Sequence, residues 1–174
     1  MSQTVPPFAD LLAGCRSSAV HLETRDVYGV ADEDEDFAAW KAGRRHTPET
    51  RTEWWNAFHD SVFQAVARGV SVRRARVVSE PVTGYIRYEH ASTFQNLMAG
   101  EDVRWLPRRL ASDLLIPGND FWVFDDTLIR FGLFSGDGAF VGHTLSDDPD
   151  VIKNVSGAFE SVWERAIPHE RYTI

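Results

Sequence analysis

The side chains with the most chemical reach in this sequence are arginines and carboxylates. Arg73, Arg74 and Arg76 sit in the β-branched run VSVRRARVVS, Arg104 follows in the short run around VRWL, and Arg130 lies in LIRFGLF. Glu89 and His90 fall between the first two runs, while Asp120, Asp125 and Asp126 bracket the apolar FWVF. If these runs are neighbouring strands, several arginines meet several carboxylates near strand ends, where open α/β sheets bind ligands. Two readings follow. One is a network of ion pairs closing the sheet edge. The other is a pocket for an anionic small molecule or a peptide carboxylate, with bidentate arginine as the anchor. On the second reading the ligand-binding residues are Arg74, Arg76, Glu89, His90, Arg104, Asp120, Asp125 and Arg130. Trp105 and Trp122 are then either core residues or an aromatic wall.

Other chemistries lack their residues. There is no P-loop, no GxGxxG after a strand, no HExxH and no CxxC pair. His21, His46, His59, His90, His143 and His169 are scattered, and none pairs with another His or Cys at ligand spacing. They read as structural or surface residues, so no metal and no cofactor is expected. Ser135 and Ser146 stand outside any GxSxG pattern. The single Cys15 lies at helical spacing from Phe8, Leu11 and Leu12, which predicts a buried thiol; a lone cysteine forms no internal disulfide and suits a reducing compartment. A net charge of -8 and a pI near 5.2 argue against a general nucleic-acid binder. The N-terminus lacks a basic stretch leading into a long apolar run, and no apolar stretch approaches the ~20 residues of a membrane span. The expectation is a cytoplasmic protein with no direct nucleic-acid or membrane contact.

The elements that would carry these residues follow from periodicity. Residues 7–16 predict a short amphipathic helix, and Val20, Leu22 and Thr24 alternate as in a half-buried strand. The acidic run Asp32 to Asp36 suits the first turn of a helix, where the macrodipole favours acids. Thr47-Pro48 predicts a helix start, Trp55, Phe58, Val62 and Val66 its stripe, and Gly69 its end. A strand over 70–79 and a helix begun by Ser79-Glu80-Pro81 and stopped by Gly100 come next, then a short strand over 103–106 and a loop. Phe121–Phe124 is apolar on both faces, as a central strand should be. Strands over 128–134 and 139–145 complete a meander, and a last helix buries Val151, Val155, Phe159, Val162 and Trp163. The expected fold is α/β (α+β): a single mixed sheet flanked by helices in one 174-residue domain. Within it, residues 1–69 form a helical part with one strand and residues 70–174 the core.

Residues 118–135, GNDFWVFDDTLIRFGLFS, resemble the signature of the phospholipase D-like superfamily: His-x-Lys, four residues, Asp, six residues, Gly-Ser-x-Asn. Asp125 and Gly132 fall on the family Asp and Gly without a gap. Gly118 stands in place of the nucleophilic His, Asp120 in place of the Lys, Leu133 in place of the Ser and Ser135 in place of the Asn. Glycine has no side chain to attack phosphorus, and Asp repels the phosphate that the Lys and Asn would hold. The resemblance therefore implies a phospholipase D-like half-domain without its catalytic residues.

The stretches RRARVVSEPVTGYIRYEH, AGEDVRWLPRRLASDLLIPGNDFWVFDD, FSGDG and AFESVWERAIPHERY, with SAVHLETRDVYGV near the start, also resemble an actinobacterial family of small proteins of unknown function. Its genes often lie beside those for helix-turn-helix regulators. The likeness spans roughly residues 8–172 and is weakest over 31–51. It implies a regulatory or toxin–antitoxin-like setting, with a helix-turn-helix regulator as partner; a homodimer is a separate expectation, after single-repeat phospholipase D-like enzymes that complete their site by dimerising. Asp34, Asp36 and Trp40 are the candidate partner contacts, an acidic rim beside an aromatic anchor. The leading expectation is thus a non-catalytic regulatory or interaction protein. Its rivals are a small phosphodiesterase or nuclease-like hydrolase completed by dimerisation, and a metabolite sensor using the arginine cluster.

Overall fold

Seven strands join in one sheet, and its inner strands present apolar residues to both sides, so each face needs a covering layer. The computed structural model describes residues 5–29 and 31–174 (backbone alone at 31–34). The strands are β1 (Ser18–Glu23), β2 (Ser71–Val78), β3 (Asp102–Pro107), β4 (Phe121–Phe124), β5 (Leu128–Phe134), β6 (Phe140–Ser146) and β7 (Ile167–Pro168). Their order is β6-β5-β4-β1-β2-β3-β7. β1, β2 and β3 run parallel; β4, β5 and β6 continue antiparallel from β1, and β7 runs antiparallel to β3. The mixed sheet arises because β1 and β2 are linked by helices, whereas β4 to β6 are linked by tight turns. The central strand β1 therefore comes from the N-terminal part of the chain and is locked between β2 and β4.

The helices are α1 (Phe8–Gly14), α2 (Ala31–Lys41), α3 (Arg51–Trp54), α4 (Ala57–Ala67), α5 (Gly84–Ala99) and α6 (Pro149–Arg165). α6 covers one face, burying Ile152, Val155, Phe159, Val162 and Trp163 against Val20, Leu22, Ala75, Val77, Phe121 and Val123, with Ala111, Leu114 and Ile116 of the loop before β4 joining the same core. Val151 is only half-buried, and its neighbour Ile152 takes the inner place expected for it. Asp148 caps α6 by accepting from the backbone of Asp150 and Val151, followed by Pro149 at the first position.

The other face is covered by α1, α4 and α5. The single helix expected from Thr47 is broken at Trp55 and Asn56: the extended backbone of Trp55 ends α3, and the Asn56 side chain accepts from the Phe58 and His59 amides to start α4. Similarly, α5 begins at Gly84 under a Thr83 cap and not at Ser79, because Asp26 engages the Ser79 amide and hydroxyl. Between β4 and β5, Asp125 and Asp126 both take positive φ, near 51° and 52°, the pairing that a two-residue hairpin turn requires.

Candidate functional site

On the face away from α6, side chains line up across strands in register. Arg130 on β5 is opposite Trp122 on β4, Trp122 is opposite His21 on β1, and His21 is opposite Arg74 on β2. One row further along, Glu23 is opposite Arg76, and Arg76 is opposite Trp105 on β3. A cleft of about 740 Å³ opens between this floor and the helices, with Phe8, Phe58 and Trp54 on one side and Tyr85 and Tyr88 on the other.

The floor is a chain of alternating buried charges. Glu23 bridges both arginines, with Oε1 2.5 Å from Arg74 and Oε2 2.5 Å from Arg76. Arg74 reaches on to Glu101 at 3.1 Å and Arg76 to Glu89 at 2.5 Å. Two side chains of α5 add hydrogen bonds: Thr93 accepts from Arg76 Nη1 at 3.4 Å, and Asn96 donates to Glu101 at one end of the chain. Burial pushes the Glu23 carboxyl up, but Arg76 and Arg74 outweigh it and hold the group at about 2. Burial, reinforced by Arg74, drives the His21 ring well below its ordinary pKa. That ring is therefore neutral, stacked on Trp122 at 4.3 Å between ring centres. Arrangements of this kind are costly to desolvate and retained for geometry more than for stability.

Towards β5 the chemistry changes. Asp120, just before β4, accepts from the Thr24 amide at 2.8 Å, the Thr24 hydroxyl at 2.7 Å and the Tyr28 hydroxyl. Burial raises its pKa, although the Tyr28 and Thr24 hydrogen bonds oppose the rise. Arg130 has no carboxylate partner among the described residues. Its Nη2 lies 2.8 Å from the nearer ring nitrogen of His143, its Nε is buried without a hydrogen bond, and its plane sits 5.8 Å from the Phe8 ring. Desolvation lowers the Arg130 pKa, and desolvation together with Arg130 drives His143 down to about 4.

The structure brings together five of the eight residues expected to bind a ligand: Arg74, Arg76, Glu89, Asp120 and Arg130 all line the cleft. The other three lie elsewhere. Arg104 points to the opposite face, where its guanidinium covers Trp163 at 4.1 Å, because residues 103 and 105 take the cleft-side positions of β3. His90 faces the C-terminal segment, 3.0 Å from the Tyr172 carbonyl oxygen and stacked near Trp105 and His169. Asp125 sits at the far end of β4, accepting from the backbone amides of Arg16, Ser17 and Ser18 at 2.8 to 2.9 Å. Those bonds outweigh burial and hold its carboxyl at about 2. Trp122 is both core and wall, its faces taken by His21 and Phe8.

Among the candidate partner contacts, Asp36 pairs with Arg44 and also borders the cleft. Trp40 is half-buried against Tyr88 with Arg45 over its ring, and the side chain of Asp34 lies outside the described residues. The cleft also holds His21, Glu23, Tyr28 and His143, which sequence reasoning misses; strand alternation with Val20 and Leu22 is the signal for His21 and Glu23, and Tyr28, in the loop after β1, carries none.

The positions aligned with the phospholipase D-like signature separate as well. Gly118 is exposed in the loop before β4, Asp120 and Gly132 border the cleft, and Ser135 closes the β5–β6 turn by bonding Ala139.

A family described as a domain of unknown function (DUF6879) matches residues 6–174. No curated protein matches the chain. Among solved structures, the phospholipase D family member Nuc from Salmonella typhimurium is 11% identical with a TM-score of 0.52, over 92% of this chain and 86% of that one. NucT from Helicobacter pylori is 10% identical, also at 0.52, over 92% and 87%. TrmBL2, an archaeal chromatin protein whose structure shows a novel mode of DNA binding, is 13% identical at 0.50. That match covers 91% of this chain, which spans only 47% of the TrmBL2 chain. At these identities the likeness is one of fold, and the fold is phospholipase D-like.

Proposed function

The chain belongs to the DUF6879 family, and we propose that it is a non-catalytic binding protein whose cleft takes a small molecule and whose bound form a helix-turn-helix regulator reads. The observation that carries this is the cleft itself: about 740 Å³, walled by aromatic rings and floored by paired charges, Glu23, Arg74, Arg76 and Glu89, with Arg130 left outside the pairing. Ligand pockets usually have this size and this mixture of apolar walls with a few polar groups. Against catalysis in the manner of the fold relatives, the position aligned with the nucleophile is Gly118, outside the cleft, and the position aligned with its cation is the carboxylate Asp120. DNA binding of the kind named for TrmBL2 is disfavoured by the net charge of -8 and by the carboxylates Glu23, Glu89 and Asp120 in the cleft. The same acidic surplus suits contact with a basic regulator, since complementary fields speed encounter.

The test is a thermal-shift screen of small metabolites against the wild type and Gly132→Leu. Gly132 shares the cleft face with Arg130, and a Cβ there meets nothing closer than 3.5 Å, so the backbone accepts a side chain that projects into the cleft. Compounds that raise Tm in the wild type and not in Gly132→Leu support the reading. Turnover of a phosphodiester that Asp120→Asn abolishes would overturn it.

A further inference from the structure

Three cleft arginines share one sheet face but differ in their partners. Arg74 and Arg76 are each held between two glutamates. Arg130 is not: three strand spacings from Arg74, about 14 Å away, its described side-chain partner is an imidazole. Arg74 also leaves its Nε without a hydrogen bond, so what sets Arg130 apart is a half-buried guanidinium that has lost water without gaining a carboxylate among the described residues, a cost that an anionic ligand would offset.

Resting on the cleft reading above, we infer that the Arg130–His143 corner is the anchor of the ligand, and that the group it takes is the carboxylate of a singly charged organic acid. The guanidinium offers two parallel donors in the fork geometry that carboxylates match. His143, from the neighbouring strand, stands beside it as a second polar contact. The rest of the cleft selects against higher charge. Four carboxylates line it, Glu23, Asp36, Glu89 and Asp120, against three guanidiniums. Asp120 is two residues along β4 from Trp122, about 7 Å from the row that holds Arg130. A dianion such as inorganic phosphate meets this repulsion twice over, and a monoanion meets it once.

Binding also moves a proton. The charged group facing His143 from β5 is Arg130, and from its own strand the neighbour is the apolar Phe140, 4.7 Å between ring centres. An anion between the two basic groups offsets the repulsion that Arg130 exerts on the imidazolium. The His143 ring therefore gains protons as the carboxylate enters, and affinity rises as pH falls until the ligand's own carboxylate, which must stay ionised to bind, begins to titrate.

The experiment compares benzoate with its neutral and cationic analogues, benzamide and benzylamine, and with inorganic phosphate. NMR follows the Trp122 indole proton and the His143 ring through a pH titration. Benzoate should bind most tightly and raise the His143 pKa by about one unit. Arg130→Gln should weaken benzoate at least about tenfold, a change of roughly 1.4 kcal/mol, while leaving benzamide unaffected. His143→Gln should keep binding and lose its pH dependence. If benzamide or benzylamine perturbs Trp122 as strongly as benzoate does, and Arg130→Gln changes nothing, the anion anchor falls and the cleft reading survives. Phosphate binding more tightly than benzoate through Arg130 would overturn the monoanion assignment. Silence of all four probes at Trp122 and His143 overturns the anchor and counts against the cleft.

Discussion

The two faces of this sheet are built from the same strands and solve opposite problems. Towards α6, positions 20, 22, 75, 77, 121 and 123 are apolar and buried, and the charged residues Arg73 and Arg104 lie over Phe159 and Trp163 rings at 4.1 to 5.2 Å. Towards the cleft, the intervening positions 21, 23, 74 and 76 are polar, with Arg74 and Arg76 buried and His21 and Glu23 half-buried. One face is held by contact area, which is non-directional and tolerant of position. The other is held by five charges in sequence, Glu101–Arg74–Glu23–Arg76–Glu89, each of which needs its neighbour in place. A fold can keep a rigid, water-excluding floor for a ligand only if the opposite face supplies the stability, because a buried ion-pair chain does little more than offset its own desolvation.

The comparison can be broken most severely on the apolar face. Phe159 is fully buried and stacks on Trp163 at 5.6 Å between ring centres. Phe159→Ala should cost up to about 5 kcal/mol, a large part of the ~5–15 kcal/mol that stabilises a domain, and should leave little soluble protein. A denaturation midpoint close to wild type would show that α6 is peripheral. On the cleft face, Glu23→Gln removes the charge shared by Arg74 and Arg76 but leaves Glu101 and Glu89 to hold them. The loss should be about 3 kcal/mol, measured by urea unfolding at neutral pH. The Glu23 carboxyl titrates at about 2 in the folded chain, below its unfolded value near 4.3. Its contribution is therefore complete above about pH 4.3 and fades as pH falls towards the folded pKa. The gap between wild type and Glu23→Gln should close over that window; a gap that persists to the acid limit would show that the charge is not what matters.

A smaller effect is expected at the hairpin. Asp125→Ala removes the acceptor of three backbone amides and puts alanine at a positive φ near 51°, so about 2 kcal/mol is expected, read as a fall in Tm. The smallest effect sharpens the comparison with the fold relatives. Installing His at 118 and Lys at 120 should give no phosphodiesterase activity above a blank, since Leu133 and Ser135 also depart from the signature and Gly118 lies away from the cleft. Measurable turnover by that double variant would mean the cleft is closer to a catalytic site than its residues suggest.

What could be read in advance depended on how each residue signals its surroundings. The α6 stripe and the central FWVF were legible because apolar spacing reports burial directly. Arg74, Arg76, Glu89, Asp120 and Arg130 were legible because charges amid apolar runs are expensive unless used. The face of a strand was not. In β3, Val103 and Trp105 are buried on one side and Leu106 on the other, so nothing local says which side Arg104 takes. His21 and Glu23 looked like the solvent side of a half-buried strand, and only the helices packed over β1 show that both sides are covered. The break at Asn56 was hidden for a related reason: an asparagine inside an apolar stripe signals a cap only when the chain direction changes there.

The central place of β1 has a consequence for the order in which the chain can fold. β1 ends at residue 23, yet its partner β4 ends at residue 124, and Asp125 closes a loop of 108 residues back to Ser17. At ribosomal speeds of ~5–20 residues per second, about 5–20 s separates the synthesis of these two strands. Until β4 arrives, β1 can pair only with β2, and Ala19 and Leu22 have an open edge beside them. Such long-range closure is slow to form and exposes strand edges while it waits. This places the chain among proteins whose yield depends on translation rate and chaperone supply as much as on final stability. Slowing synthesis after residue 78, when β1 and β2 are both out, should lengthen the life of that two-stranded state and raise its aggregation.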